Sequence, residues 1–397
     1  MRIGFDAKRA FLNRTGLGNY GRTLINCLIR QYPENEYLLG SPCKSEISGF
    51  VFPEANATQP AVDTVQGNSQ KCVQAYSILP SKGVHGRLWR TMFLGRSMRK
   101  FGVDLFHGLS NELPLDIGET PSIVTIHDVA FRTFTDMYSF PDRIIYNRKW
   151  KFACEKATHI IAISESTKRD VQRFYDITDN RISVIFQPVQ DEFYTPLSQI
   201  DAQAILKPIL PFHNKGYLLS VGSINSRKNL MNTLKAYSAI RPENRPPLVV
   251  VGNGGKYMAE CKSFAQRKIG KNEVVWLHNI GSTRELQSLY ACAIALLYPS
   301  YYEGMGLPII EALLQGCPVL TSNVSSLPEA AGPGALLANP ADVEDIMHCM
   351  CRFIDDKDFC ARLSRAGEEY VRQKFSSDVL TNQMMDLYHQ VTNLINL

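Results

Sequence analysis

The 397-residue sequence contains no apolar run approaching the ~20 residues that a helix needs to cross a bilayer, so no spanning segment is predicted. Charge is sparse as well. Charged residues make up 20% of the chain and the net charge is +5, which permits attraction to anionic substrates or an anionic membrane face but is too small to argue for nucleic acid. No basic tract has the aromatic interleaving of an RNA-binding module. The ten cysteines lack metal spacing, and the closest pair, Cys349 and Cys351, has no partners nearby in sequence, so they read as reduced core thiols. Neither His-Glu-x-x-His nor Gly-x-Ser-x-Gly occurs, which leaves zinc hydrolysis and serine-esterase chemistry without support. No leader is expected either, because Met1 runs directly into Arg2-Ile3-Gly4-Phe5-Asp6, which reads as a first strand, and a cytoplasmic location is expected.

What is present suits a globular protein of two domains. Hydrophobic residues make up 45% of the chain, and its length fits two domains of roughly 150 to 200 residues. Strand-like and helix-like segments alternate, which predicts an α/β protein with parallel sheets covered by helices on both faces. Candidate strands in the C-terminal half are 217–222, 248–252, 274–278, 293–298, 319–322 and 335–338. The N-terminal half offers strands near 2–6, 37–40, 103–107, 121–126, 158–163 and 182–186. Residues 41–75, rich in proline, glycine and polar side chains, read as a long excursion or mobile loop. The segment 194–214, with Pro196, Pro208 and Pro211, is the predicted linker, and it places a domain boundary near 205.

Residues 298–317 carry the strongest chemical signal. A short apolar strand ends at Pro299 and Ser300, and Pro308 suits the first turn of the helix that must follow Gly306. The amides of Gly304, Met305, Gly306 and Leu307 then point above the strand end, an arrangement that attracts phosphate. Glu311 sits in a helix apolar nearly all round, so its carboxylate needs donors, and a ribose diol supplies two. Glu303, one turn outside, is placed to accept hydroxyls from a sugar beyond the phosphates. Taken singly, each carboxylate also fits a bland reading as a surface or loop charge. The whole string Pro-Ser-x-x-Glu-Gly-x-Gly-Leu-Pro-x-x-Glu-Ala is much harder to explain by chance.

This segment resembles the signature of the retaining glycosyltransferases of family 4, which have the two-domain GT-B fold. Further strings resembling the family follow in its order: Gly16-Leu17-Gly18, Asp104-Leu105-Phe106-His107, Thr125-Ile126-His127-Asp128, Ile163-Ser164-Glu165-Ser166-Thr167-Lys168, Val221-Gly222 with Arg227-Lys228-Asn229, and Pro328-Glu329 with Gly332. The resemblance implies two Rossmann-like, doubly wound parallel-sheet domains facing a central cleft. Residues 1–204 would form the acceptor-side domain and 205–375 the donor domain, while a last helix within 376–397 would cross back to the first.

Arg227 and Lys228 fall in the first turn of a helix that Asn225 or Ser226 would cap, where positive charge opposes the helix dipole unless a diphosphate binds there. The alternative is a solvated basic turn. Many relatives carry Arg immediately after the glycine where this chain has Ser223, so Lys228 transfers most directly and Arg227 takes over the missing charge. Donor contacts are also expected from Asn253 and from the glycine loop at Gly16 and Gly18, which otherwise is a tight turn capping the first helix. The Gly16-x-Gly18-x-x-Gly21 spacing alone would suit a nicotinamide-dependent dehydrogenase. That rival is disfavoured because about eight residues separate it from the first strand and Ser41 stands where the acidic ribose ligand belongs. A non-catalytic nucleotide-sugar sensor is disfavoured by the carboxylate pair and Lys228.

His127 and Asp128 end a strand, and by resemblance His127 faces the reacting sugar, through its carbonyl as much as its ring. A lone histidine there is otherwise a satisfied structural residue, and Asp128 a turn cap. His107 and Asn111 are expected on the acceptor side with Asp128. Catalysis is thus assigned to His127, Lys228 and Glu303, with electrostatic stabilisation of the leaving diphosphate as its main source. No metal and no cofactor is expected, since Asp356-Lys357-Asp358 reads as a helix start. The predicted partners are a nucleotide-sugar donor, first GDP-mannose and otherwise a UDP-sugar, and a glycan or lipid-linked acceptor of cell-surface polysaccharide assembly. Residues 86–101 read as one amphipathic helix, with Leu88, Trp89, Met92, Phe93 and Met98 on one side and Arg87, Arg90, Arg96, Arg99 and Lys100 elsewhere. It would either pack on the sheet or lie on an anionic membrane. One further departure is Phe186-Gln187-Pro188, where relatives commonly have Asn-Gly.

Overall fold

The computed structural model describes residues 1–13, 16–55, 75–80, 85–212, 215–270, 272–278 and 280–394. The chain divides into two compact units, one made of Met1–Pro188 with Ser377–Leu397 and the other of Val189–Ser376. In the first, seven strands run β1 (Arg2–Asp6), β2 (Glu36–Gly40), β3 (Ala75–Ile78), β4 (Leu105–Gly108), β5 (Ser122–Ile126), β6 (His159–Ala162) and β7 (Ile182–Val184). They lie in the order β3-β2-β1-β4-β5-β6-β7, and every registered pair is parallel. The second unit has β8 (Tyr217–Val221), β9 (Leu248–Val251), β10 (Val274–Leu277), β11 (Ala293–Tyr298), β12 (Val319–Ser322) and β13 (Ala335–Ala338), in the order β10-β9-β8-β11-β12-β13. These strands too are parallel. Their near-continuous apolar sequences, such as the wholly buried Leu-Val-Val-Val of β9, follow from burial on both faces.

In each unit the strand order reverses beside its first strand, between β1 and β4 and between β8 and β11. Loops leaving the carboxyl ends of such strands diverge and leave a crevice, which is where open α/β sheets bind ligands. The C-terminal helix Ser377–Asn393 belongs to the first unit, where Leu380, Met384, Tyr388 and Val391 join Phe5, Leu24 and Leu28 in one core.

Several expectations need correction. The linker expected over 194–214 lies inside the second unit, because Gln199–Leu206 is a helix whose Gln199 donates to the carbonyl of Ala291 at 2.8 Å; the division falls at Pro188 instead. The single helix expected over 86–101 is two helices, Gly86–Met92 and Leu94–Lys100, broken at Phe93. Its apolar face is divided as well, since Trp89, Leu94 and Met98 are buried while Leu88, Met92 and Phe93 are exposed. The edge strand β3 has no counterpart in the sequence reading, and most of the 41–75 excursion, 56–74, lies outside the described residues. The cysteines among the described residues are free but not all core thiols: Cys43 is exposed and Cys292, Cys349, Cys351 and Cys360 are half-buried.

Candidate active site

In the second unit, the loops that follow β8 and β11 bring the predicted cations and one carboxylate together. After β8, Gly222 takes a φ of 132°, and Gly252 after β9 packs so closely that a Cβ there would lie 1.9 Å from the Gly222 carbonyl oxygen. The chain then forms a 3₁₀ turn, Ser226–Lys228, capped by Asn225, whose side chain accepts the Lys228 amide at 3.2 Å. The α-helix begins only at Leu230, later than the sequence suggests, because Asn229 is left-handed with a φ of 60°. Its amide side chain donates to the carbonyls of Pro299 (3.0 Å) and Pro340 (2.7 Å), which pins the basic turn against the loop after β11.

From that loop, Glu303 reaches both cations. Arg227 Nη1 lies 2.8 Å from Glu303 Oε2 and Lys228 Nζ lies 2.6 Å from Oε1. Tyr298, the last residue of β11, completes the cluster: its hydroxyl accepts from Lys228 and donates to Glu303 at 3.3 Å, and the Lys228 ammonium sits 4.5 Å from its ring centre. Arg227 also donates to the Tyr302 carbonyl. Glu303 is 7% exposed. Burial pushes its pKa up, but Lys228 and Arg227 outweigh that and hold the carboxyl below the usual carboxylate range. The main chain of Glu303 is fixed by its amide to Ser325 Oγ (3.1 Å) and its carbonyl to the Ser326 hydroxyl (2.8 Å). Both cations thus hold the one carboxylate in its charged form.

Behind this cluster the helix Leu307–Leu314 starts at Gly306, whose φ of 97° disfavours a side chain. Glu311 on this helix accepts one hydrogen bond, from Tyr290 at 2.9 Å. Burial raises its pKa to about 7 against the Tyr290 hydrogen bond, so its charged form gains from any further donor. Asn253 follows β9 and donates to the His278 carbonyl at 2.6 Å. Gly304, Met305 and Leu307 complete the loop and first turn, and the Met305 side chain is buried.

The first unit holds its predicted residues differently. His127 ends β5 with its ring buried: Nε2 lies 2.8 Å from the Leu109 carbonyl and Nδ1 2.6 Å from Gln187 Nε2. Burial lowers its pKa to about 4, with the Arg9 charge acting the same way against the Leu109 hydrogen bond. Asn111 supports it, accepting the His127 amide at 2.7 Å from a left-handed backbone with φ 61°. His107 is not open to an acceptor. It is fully buried, with its ring nitrogens 2.6 Å from Tyr388 Oη and 2.8 Å from Thr125 Oγ1, and burial lowers its pKa to about 3. Asp128 caps the next turn through the Ala130 amide at 3.0 Å. The glycine loop also differs from expectation, because Gly16 and Gly18 lie in the helix Gly16–Gln31. A Cβ at Gly18 would sit 1.8 Å from the Asn13 carbonyl oxygen, so this glycine serves close packing of two helices, and Gly16 alone has open space. Asp356 caps the helix Lys357–Lys374, and among the described residues no three His, Cys, Asp or Glu gather as metal ligands.

The sequence reading passed over Tyr290, and it named Tyr298, Asn229 and Gln187 only within longer strings, with no role of their own. Tyr298 carried a signal, being a polar-tipped residue that closes an otherwise apolar strand beside the motif. Arg90, Asp6 and Glu112 carried none. They form a buried network at the ends of β1 and β4, with Arg90 2.6 Å from Asp6 and 2.8 Å from Glu112, which Lys149 also meets at 3.3 Å.

With this geometry in hand, comparisons identify relatives. Residues 201–370 match the family described as Glycosyl transferases group 1, and 53–193 match Glycosyltransferase Family 4. The chain is 30% identical to O-antigen chain mannosyltransferase B of Escherichia coli over 74% of its own length and 76% of the relative's. It is 27% identical to the O-antigen chain mannosyltransferase RfbU of Salmonella typhimurium over 55% of itself and 57% of that protein. Among solved structures, Anabaena Alr3699/HepE in complex with UDP and glucose superposes with a TM-score of 0.74 at 16% identity, covering 98% of this chain and 100% of that one. WaaG, a glycosyltransferase involved in lipopolysaccharide biosynthesis, gives 0.66 at 16% identity, covering 98% and 99%. Both likenesses speak to the fold, which is the GT-B arrangement of two Rossmann-like parallel-sheet domains. The family matches, the O-antigen relatives and this fold agree, and the chain belongs to the family 4, group 1 glycosyltransferases.

Proposed function

We propose that this glycosyltransferase moves a mannosyl group from GDP-mannose to a glycan or lipid-linked acceptor in surface-polysaccharide assembly, with retention of configuration and without a metal ion. The names of its relatives support the sugar and the setting. The observation that carries the chemistry is the pair Arg227 and Lys228 held on one carboxylate at the strand-order reversal of the second unit. A diphosphate brings more negative charge than Glu303 and displaces it from the cations. Glu303 is then free to accept hydroxyls of the hexose, and Glu311 accepts those of the ribose.

The glycosidic carbon–oxygen bond breaks with its electron pair leaving on the diphosphate, where Lys228 and Arg227 stabilise the growing charge. Arg227 offers a planar fork and Lys228 a point charge. The acceptor oxygen attacks the short-lived oxocarbenium-like carbon from the same face, and its proton passes to the departing diphosphate. No side chain of the second unit's cluster serves as a covalent nucleophile in this scheme.

The first unit takes the acceptor in this reading. Exposed Leu88, Met92 and Phe93, with Arg96 and Lys100 exposed on the adjoining helix, support peripheral contact with an anionic membrane. Arg90 and Arg99 do not contribute, being bound to Asp6 and to the carbonyls of Asp116 and Ile117. No helix among the described residues is long and apolar enough to cross a membrane.

A thermal-shift panel of GDP, UDP and ADP in EDTA tests the donor. A ligand at 100 times its dissociation constant adds about 2.7 kcal/mol, which is a shift of a few degrees. Selective response to GDP, followed by transfer from labelled GDP-mannose in EDTA, is the expected result. A response to UDP alone overturns mannose as the sugar, and activity only with added metal overturns the metal-free mechanism.

A further inference from the structure

Gln187 lies in the string Phe186-Gln187-Pro188 that departs from the family pattern, and the structure aims it at a residue the reaction is expected to use. Its side chain is buried, 5% exposed, and its amide nitrogen lies 2.6 Å from His127 Nδ1. The other ring nitrogen, Nε2, faces the carbonyl oxygen of Leu109 at 2.8 Å. A carbonyl only accepts, so Nε2 must carry the proton. Nδ1 then holds the lone pair, and the amide N–H of Gln187 donates to it. The Tyr20 ring packs against it nearly perpendicular with centres 4.8 Å apart, and Tyr20 is itself tied to Thr125 at 3.0 Å. The histidine main chain is fixed too, its amide by Asn111 at 2.7 Å and its carbonyl by the Thr167 hydroxyl at 3.4 Å.

We propose that Gln187 is a positioning residue that fixes His127 as the neutral Nε2–H tautomer and occupies the ring's one lone pair, so that the imidazole is unavailable as a general base. The inference rests on the transferase reading for its consequence, since a reaction driven by stabilising the leaving group needs no base. The charged and titratable groups around His127 favour neutrality. Arg9 opposes a second positive charge, and its titratable neighbours His107 and Tyr20 are buried, with pKa values moved away from the charged forms by burial. Asp128, next in the chain, turns its carboxylate to the Ala130 amide.

The test is a long-range proton–nitrogen correlation spectrum of the ¹⁵N-histidine-labelled full chain from pH 8 to pH 5, with transfer measured alongside. His127 is expected to show a protonated Nε2 and an unprotonated Nδ1 throughout. In Gln187→Glu the carboxylate draws a second proton onto the ring, so His127 titrates inside the window and the pH profile of kcat gains a limb absent from the parent. In Gln187→Leu, Nδ1 loses its hydrogen bond and its nitrogen shift moves, while GDP binding, which belongs to the other unit, is unchanged. A protonated Nδ1 with a bare Nε2, or an ordinary titration near pH 6.5 in the parent, overturns the proposal. The same holds if both variants leave the His127 signals where they were. The parent spectrum decides the tautomer even if the variants do not fold, and it decides it even if GDP-mannose proves not to be the donor.

Discussion

The two units share one strand order and place opposite chemistry at the same point of it. Where the order reverses between β1 and β4, Arg90 and Lys149 face two carboxylates, Asp6 and Glu112, with Lys8 close enough to feel Arg90 and both acids, and Arg90 and Asp6 are deeply buried. At the matching place between β8 and β11, Arg227 and Lys228 share one carboxylate, Glu303. The first cluster sets two carboxylates among its cations and buries the Arg90–Asp6 pair. The second sets a single carboxylate between two cations. Strand order is therefore not what distinguishes the two crevices; the number of carboxylates that the loops supply to the cations is.

The comparison can be broken by removing one cation from each cluster. Arg90→Met strips buried Asp6 of its ion pair and leaves Glu112 with Lys149, and is expected to cost the first unit roughly 3 kcal/mol of stability, read as a lower Tm with GDP affinity unchanged. Lys228→Ala should leave Tm nearly unchanged and cut kcat by a factor on the order of 10² to 10³, as loss of a leaving-group stabiliser does. Equal effects of the two substitutions on stability and turnover would erase the distinction.

Proton linkage sharpens it. Glu311 has its pKa raised by burial to about 7 from an ordinary 4.5, so in the free enzyme it contributes stability that is complete below pH 4.5 and lost as pH rises through about 7. Ribose hydroxyls favour the charged form, so GDP binding should expel a proton and weaken about tenfold per pH unit below 7. Calorimetry in two buffers of different ionisation enthalpy reads the proton directly; identical heats would remove Glu311 from the site. The smallest effect is expected in the first unit. His107 and His127 have pKa values lowered by burial, to about 3 and about 4, so the stability they contribute is present above about 6.5 and is lost as pH falls toward those values. Hydrogen exchange from pH 7 to 5 should show the first unit loosening before the second.

Much of the second unit was legible in the sequence because its information is local. All six strands follow from apolar runs with turn residues at their ends, and Glu303, Gly306 and Pro308 lie within one string. The start of the helix after Lys228 was misjudged because nothing in the residue type announces that Asn229 is left-handed and tied to Pro299 and Pro340 across the fold. The first unit was less legible for the same reason in stronger form. His107 looks like a ligand at a strand end, but it is claimed by Tyr388, 281 positions away. The continuous helix over 86–101 was an inference from periodicity alone, whereas Arg90 turns inward to Asp6 and the chain breaks at Phe93. Contacts between distant residues, invisible to pattern, decided each of these points.

The most direct measurement of the central claim is the affinity of the parent and of Glu303→Gln for GDP and for GDP-mannose, titrated side by side in EDTA. If Glu303 holds Lys228 and Arg227 in place of a diphosphate, neutralising it should tighten GDP binding by about tenfold, ~1.4 kcal/mol, while GDP-mannose gains less because its hexose loses an acceptor. Weaker binding of GDP by Glu303→Gln, or equal changes for both ligands, would contradict the account.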